Sequence, residues 1–205
     1  MGLRNLFGRK KNDKDRNVEP DPIADLVLGK LKVGYLVDYD LKTWEVTGYC
    51  RYEFDGNIVK EWEITAGGRE KRYLELADGR WSLSEKIVIG AIEGDIRRHI
   101  LREEDPPSRV VHKGKQYHFD SSCAGYMFLN DEGAGEEVIR WEFLDEDEES
   151  FLGIEQWSES EFGAATGSFV EDYEFTSILP GGGHGLICSP GGSKSYATLW
   201  LYASP

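Results

Sequence analysis

The chain has 205 residues, is 40% hydrophobic and carries a formal net charge of −14. That is enough to bury a core in one large domain or two small ones, and the acidity argues against a nucleic-acid role for the body, which would need a basic face. No apolar run approaches the roughly 20 residues of a membrane span, and the N-terminus lacks the apolar core of about 7–15 residues of a secretory signal, so a cytoplasmic address is expected.

The charge is unevenly spread. Residues 1–16 hold six basic side chains against Asp13 and Asp15, a net of +4, which leaves −18 to the rest of a chain whose total is −14. Residues 1–20 divide into an apolar-basic piece, MGLRNLFGRKK, and a polar linker. Leu3, Leu6 and Phe7 can share one face of a helical turn or two, flanked by Arg4, Arg9, Lys10 and Lys11. This is the pattern of a small interfacial anchor on an anionic membrane surface, and a disordered leader is the plainer reading of the same residues. Leu6 stands where a myristoylation signal wants Ser or Thr.

Asp21–Gly29 predicts a short N-terminal helix: Asp21 can cap, Pro22 suits the first helical position, Ile23, Leu26 and Val27 form one apolar face, and Gly29 supplies the stop. From Lys32 the period changes to two. Tyr35, Val37 and Tyr39, then Trp44 and Val46, then Tyr52 and Phe54 alternate with polar neighbours, as half-buried antiparallel strands do. Ile58–Thr65 and Lys71–Leu76 read as a hairpin and Trp81–Ile89 as a further strand, while Gly94–Glu103 reads as a short helix with Ile96, Ile100 and Leu101 on one face. After Pro106–Pro107, strands are expected at Arg109–His112, Gln116–Phe119, Gly125–Asn130, Val138–Leu144 and Phe151–Trp157, then Ser168–Ile178 and Tyr196–Ala203.

The same pattern occurs twice. Val37, Lys42, Trp44, Val46 and Cys50 fall on Val110, Lys115, Tyr117, Phe119 and Cys123 at a constant offset of 73, and Val59, Trp62 and Glu63 fall on Val138, Trp141 and Glu142 at an offset of 79. Tyr73, Leu74 and Leu76 then fall on Phe151, Leu152 and Ile154, and a longer loop at Asn130–Glu137 accounts for the growth in offset. Two such blocks imply two similar supersecondary units sharing or stacking their cores.

The first block, LKVGYLVDYDLKTWEVTGY, with Leu31, Gly34, Asp40, Trp44, Val46 and Gly48, resembles domain-of-unknown-function family 4178. A Trp-centred hairpin over Trp62–Leu74, and Gly114, Tyr117 and Gly167 of the second copy, extend the likeness over roughly residues 31–178, as two tandem copies. The resemblance carries no catalytic residues with it. It implies a bacterial accessory role in a stress-related system, because such members are often encoded near membrane-stress coat proteins and polyamine-synthase-like enzymes.

Chemistry-bearing patterns are sparse. His184 and Cys188 have H-x-x-x-C spacing, but a zinc site would need His112 or His118 as well, and a nucleophile would need a base and an orienting acid. The glycine clusters at 181–183 and 191–192 lack the Gly-Lys-Ser/Thr and following helix of a phosphate loop. Asp145–Glu149, five carboxylates in a row, reads as a solvated hairpin tip that also discourages edge pairing. Cys50, Cys123 and Cys188 form no C-x-x-C pair and read as reduced thiols, the first two as small buried apolar residues.

The sequence therefore predicts a mainly β protein: two pseudo-repeated antiparallel β units, packed as a sandwich or partly open barrels, with a short N-terminal helix. The divisions are 1–20 (basic leader and linker), 21–105 (first unit) and 106–205 (second unit with a glycine-rich hairpin). The leading functional expectation is a non-enzymatic accessory or scaffold module that binds a protein partner, peripheral to the inner membrane through Leu3, Arg4, Leu6, Phe7, Arg9, Lys10 and Lys11. The alternative is a small-ligand binding protein that takes a cation or amine in an aromatic cleft between the repeats, lined by Trp44, Trp62, Tyr117 and Trp141. No metal and no cofactor are implied.

Overall fold

The computed structural model describes residues 26–181. Period-two sequence becomes strand throughout: β1 (Leu36–Tyr39), β2 (Lys42–Phe54), β3 (Asn57–Ala66), β4 (Glu70–Ala77) and β5 (Arg80–Ile87) form an antiparallel meander. After α1 (Ile96–Glu103), the pattern recurs as β6 (Arg109–His112), β7 (Lys115–Leu129), β8 (Glu132–Leu144), β9 (Ser150–Gln156) and β10 (Phe162–Val170). β11 (Thr176–Leu179) returns to pair with β1. Tight two-residue turns join the long hairpins. Asp40–Leu41, Asp55–Gly56, Lys113–Gly114 and Asn130–Asp131 all take positive φ at both positions, the geometry whose twist matches that of the flanking strands.

Eight of these strands close into a ring, in the order β2-β3-β4-β5-β10-β9-β8-β7, with β7 pairing back onto β2. Two seams join the repeats: β5–β10, centred on Ser84↔Gly167, and β2–β7, centred on Tyr52↔Met127. At each seam a strand of the first half pairs antiparallel with the strand of the same rank in the second. Cross-strand pairing also sets the equivalences. Cys50↔Glu61↔Glu75 in the first repeat matches Cys123↔Arg140↔Glu155 in the second. The offset beyond β3 is therefore 80, not the 78 that aligning Leu74 with Leu152 would need: Trp62 faces Leu74, and Trp141 faces Ile154.

Each repeat carries a β-bulge at the same place, Val46/Gly48 in β2 and Phe119/Ser121 in β7. The extra residue exchanges the two faces of the strand. Trp44 and Val46 thus pack on the outside of the ring with Trp62, Ile64, Leu74 and Leu83, beneath Leu28, Leu31 and Val37. Tyr52 and Phe54, of the same sequence parity, point inside with Val59, Met127 and Val138. A second outer core gathers Val110, Tyr117, Trp141, Phe143, Leu152 and Ile154 under Ile96 and Ile100 of α1.

Three expectations need correction. The short helix is not N-terminal: Val27 is extended and only a three-residue 3-10 turn follows at Leu28–Lys30, while Asp21–Asp25 lie outside the described residues. So short a helix has little stability of its own, and the turn instead buries Leu28 and Leu31 against the first outer core. The α-helix is α1, where Asp95 caps the N–H of Arg98 at 3.2 Å and Glu104 supplies a left-handed stop. Residues 130–137 are not a long loop, because the turn at Asn130–Asp131 lets β7 and β8 continue as a hairpin. Finally, Ser168–Ile178 is no single strand but the end of β10, a 3-10 turn at Asp172–Glu174 and β11.

Candidate functional site: the polar interior of the ring

Inward-facing positions from six strands meet in a charged layer next to the apolar layer of Tyr52, Phe54, Val59, Met127 and Val138. Glu61 comes from β3, Tyr73 and Glu75 from β4, Ser82, Ser84 and Lys86 from β5, Arg140 and Glu142 from β8, Gly153 and Glu155 from β9, and Ala165 from β10. They surround a cavity of about 40 Å³. That is space for about one to three water-sized groups.

Arg140 organises this layer. Its Nη1 donates to Glu75 Oε2 at 2.6 Å, and its Nη2 and Nε donate to Glu155 Oε1 at 2.8 and 3.0 Å. The guanidinium also lies 4.4 Å from the Tyr52 ring centroid and 5.4 Å from that of Phe54. Glu75 and Glu155 are the equivalent carboxylates of the two repeats, so one cation ties the halves together across the ring. Burial alone would lower the Arg140 pKa, but Glu75 and Glu155 outweigh it and hold the group firmly protonated.

A second tethered cation, Lys86, places its Nζ 4.0 Å from the Tyr73 ring centroid. Burial lowers its pKa, and the Glu61 and Glu155 carboxylates oppose the shift. Glu61 is 9% exposed, and burial pushes its carboxyl up to about 7, with Lys86 acting the other way. Glu142 is raised by burial and by the charge of Glu75. Cys50 donates to Glu61 Oε1 at 3.4 Å, and burial pushes its thiol well up. The cavity thus gathers four carboxyl groups, Glu61, Glu75, Glu142 and Glu155, around two cations. Glu155 is 5% exposed and its Oε2 is buried with no hydrogen-bond partner.

The four aromatic residues expected to line a cleft lie elsewhere. Trp44 and Trp62 are 2% and 1% exposed in the first outer core, and Tyr117 and Trp141 are 4% and 3% exposed in the second. Trp44 Nε1 donates to the carbonyl of Tyr39 and Trp62 Nε1 to that of Leu31. The structure pairs these residues within repeats and does not bring the four together. Leu3, Arg4, Leu6, Phe7, Arg9, Lys10 and Lys11 lie outside the described residues, as do His184, Cys188, the glycines at 182–183 and 191–192, and the strand expected at 196–203. His112 is buried, with Nδ1 2.9 Å from the carbonyl oxygen of Ala91, whereas His118 is exposed. Cys50 and Cys123 are free thiols beside the inner apolar layer. Asp145 departs from the solvated tip expected of it. It is 7% exposed, accepts from Ser150 N and Oγ at 3.0 and 2.9 Å, and pairs with Lys115 at 2.6 Å.

None of Glu61, Glu75, Arg140 and Glu155 stood out as a motif. One signal was available: the repeat offset of 79 sets Glu61 against Arg140, a charge reversal at equivalent positions.

A family model described as Domain of unknown function (DUF4178) matches residues 32–172. The chain belongs to the DUF4178 family. An uncharacterized protein of Aquifex aeolicus (strain VF5) is 31% identical over 178 residues, which cover 87% of this chain and 96% of that protein. No solved structure matches the chain. The DUF4178 match runs from just before β1 to just after β10 and so takes in every strand of the ring. Among the described residues of this DUF4178 protein, no helix is long and apolar enough to cross a membrane, and no group of three or more His, Cys, Asp or Glu side chains is arranged to hold a metal ion.

Proposed function

We propose that this DUF4178 protein is a non-enzymatic accessory module whose ring interior receives the cationic group of a small ligand. The observation that carries the reading is the imbalance of the cavity, where four carboxyl groups face two tethered cations in a space largely shielded from water. Buried charge is costly unless paired, so an added cation is favoured there, and water or protons take its place otherwise. The two cations already inside illustrate how the interior holds such groups: each has a carboxylate and an aromatic face, Arg140 with Tyr52 and Lys86 with Tyr73. A thermal-shift series with small cations and amines, spermidine included, at matched ionic strength tests the reading. Stabilisation by at least one organic cation is expected, and no shift with any of them would end it.

A second reading rests on the charge split, +4 over residues 1–16 against −18 elsewhere. It makes the chain a cytoplasmic, peripheral adaptor that meets an anionic membrane through Leu3, Leu6, Phe7 and the flanking basic residues, and there engages a protein partner. Flotation with anionic vesicles compares the whole chain with one starting at Asn17. Salt-sensitive flotation of the whole chain alone is expected, and equal behaviour of the two removes the membrane contact.

A further inference from the structure

We infer that the interior takes one primary ammonium group, either the ammonium ion or the end of a primary amine, seated on Glu155 Oε2 with Glu61 and Ser82 completing its partners. This rests on the proposed cation-binding role and names the class of ligand. Glu155 Oε1 is occupied by both Arg140 donors, and Arg140 Nη1 is committed to Glu75, so the guanidinium cannot turn to serve Oε2 as well. Oε2 is therefore left buried without a donor, in a side chain that is 5% exposed and belongs to a residue lining the cavity. An unmatched buried acceptor of this kind calls for a donor.

Size and donor count select the donor. A cavity of about 40 Å³ holds about one to three water-sized groups, which favours a compact ammonium over the bulkier guanidinium or quaternary ammonium. A primary ammonium carries three N–H donors on a compact charge. Glu155 Oε2, the Glu61 carboxyl and the Ser82 hydroxyl, all buried and all lining the cavity, supply three acceptors. Any alkyl remainder must leave through the end of the ring away from the Tyr52 and Phe54 layer, which packs the other end.

Binding is linked to pH through Glu61. The groups around it are Cys50 on β2, Tyr73 and Glu75 on β4, Lys86 on β5, Arg140 and Glu142 on β8, and Glu155 on β9. Burial keeps the Glu61 carboxyl protonated up to about pH 7 despite Lys86 and Arg140, so a ligand cation competes with that proton and binds more tightly as pH rises.

The test is thermal denaturation of the full chain in ammonium, methylammonium, potassium, guanidinium or tetramethylammonium chloride at equal ionic strength, at pH 6 and pH 8. Guanidinium is kept at low millimolar concentration to avoid denaturation. Ammonium and methylammonium should raise Tm by roughly 3–6 °C at tenfold over Kd, more at pH 8 than at pH 6. Glu155→Gln should abolish the shift while its amide oxygen can still accept from Arg140. Gly153→Ala gives a second handle should that variant fold poorly. A Cβ at Gly153 meets nothing within 4 Å, so its methyl enters the cavity without touching a charge, and it should weaken the shift at least tenfold in Kd. Equal stabilisation by potassium, or a shift with guanidinium or tetramethylammonium that survives Glu155→Gln, would overturn the ammonium assignment and leave a cation-binding interior standing. No shift with any cation would remove both.

Discussion

Glu61 and Arg140 hold the same position in the two repeats and carry opposite charge: Glu61 pairs across strands with Cys50 and Glu75, Arg140 with Cys123 and Glu155. Had the repeats stayed identical here, either a fifth carboxyl would stand in place of the guanidinium or a second guanidinium in place of Glu61. The reversal lets a single cation bridge Glu75 and Glu155, and it leaves Glu61 as the carboxyl that burial holds near neutrality.

Arg140→Ala strands two carboxylates in the interior. Breaking a buried pair in this way costs about 3–5 kcal/mol, so a large fall in the urea midpoint is expected. Arg140→Met combined with Glu75→Gln and Glu155→Gln should recover much of the loss, because apolar and neutral groups need no counter-charge. A single substitution as mild as a surface change would refute the bridging role.

Glu61→Gln should stabilise the protein at neutral and higher pH. The folded carboxyl titrates near 7, above an ordinary value of about 4.5, so the folded state binds the proton more tightly than the unfolded chain does. Stability from this group is full below the ordinary value, falls as pH rises towards 7 and is flat beyond. The substitution removes that slope, a gain on the order of 1–3 kcal/mol at pH 8. Urea melts at intervals between pH 5 and pH 8 read it directly, and parallel curves for the two proteins would contradict it.

Gly125→Ala and Gly167→Ala should each open a seam. A Cβ on Gly125 would stand 1.9 Å from the carbonyl oxygen of Glu53 across β2–β7, and one on Gly167 would stand 2.5 Å from that of Leu83 across β5–β10. Backbone atoms cannot rotate aside as a side chain can, so losses of about 3 kcal/mol or more are expected. Amide hydrogen exchange should rise first in the two strands of the affected seam. Uniform acceleration across all strands would show that the seams are not independent features.

Asp145→Asn should destabilise the β8–β9 turn at neutral pH by about 1–2 kcal/mol. Burial would raise the Asp145 carboxyl, yet Lys115 and Ser150 outweigh it and hold the group well below the usual carboxylate range. Its contribution is thus present above an ordinary value of about 3.9 and lost as pH falls through the folded one. The gap between wild type and variant should narrow below about pH 4, and a pH-independent gap would show that charge is not the cause.

Much of the strand map was legible because each strand carries its own signal. The alternation at Tyr35–Tyr39 reappears as β1, and Ile96 with Ile100 marks the buried side of α1, whereas Leu101, expected on the same face, is 45% exposed. The interior was far less legible. Glu61, Glu75, Arg140 and Glu155 sit among hydrophobic neighbours at strand positions where a charged residue ordinarily faces water. Only the charge reversal between repeats hinted otherwise. Trp44, Trp62, Tyr117 and Trp141 are strand aromatics as the alternation indicates, but instead of lining one cleft between the repeats they pack in two outer cores.

By itself the sequence determined the mainly β class and the place of most strands, because alternation acts over a few residues. The tertiary structure alone decided what lies inside. A one-residue bulge at Val46/Gly48 and its twin at Phe119/Ser121 exchange the faces of β2 and β7, and period two has no memory across such a bulge. Ring closure depends on pairings such as Tyr52↔Met127 and Leu83↔Ser168, which join residues far apart in the chain and are set by the fit of two whole surfaces. That closure turns charged residues on separate strands into one cavity.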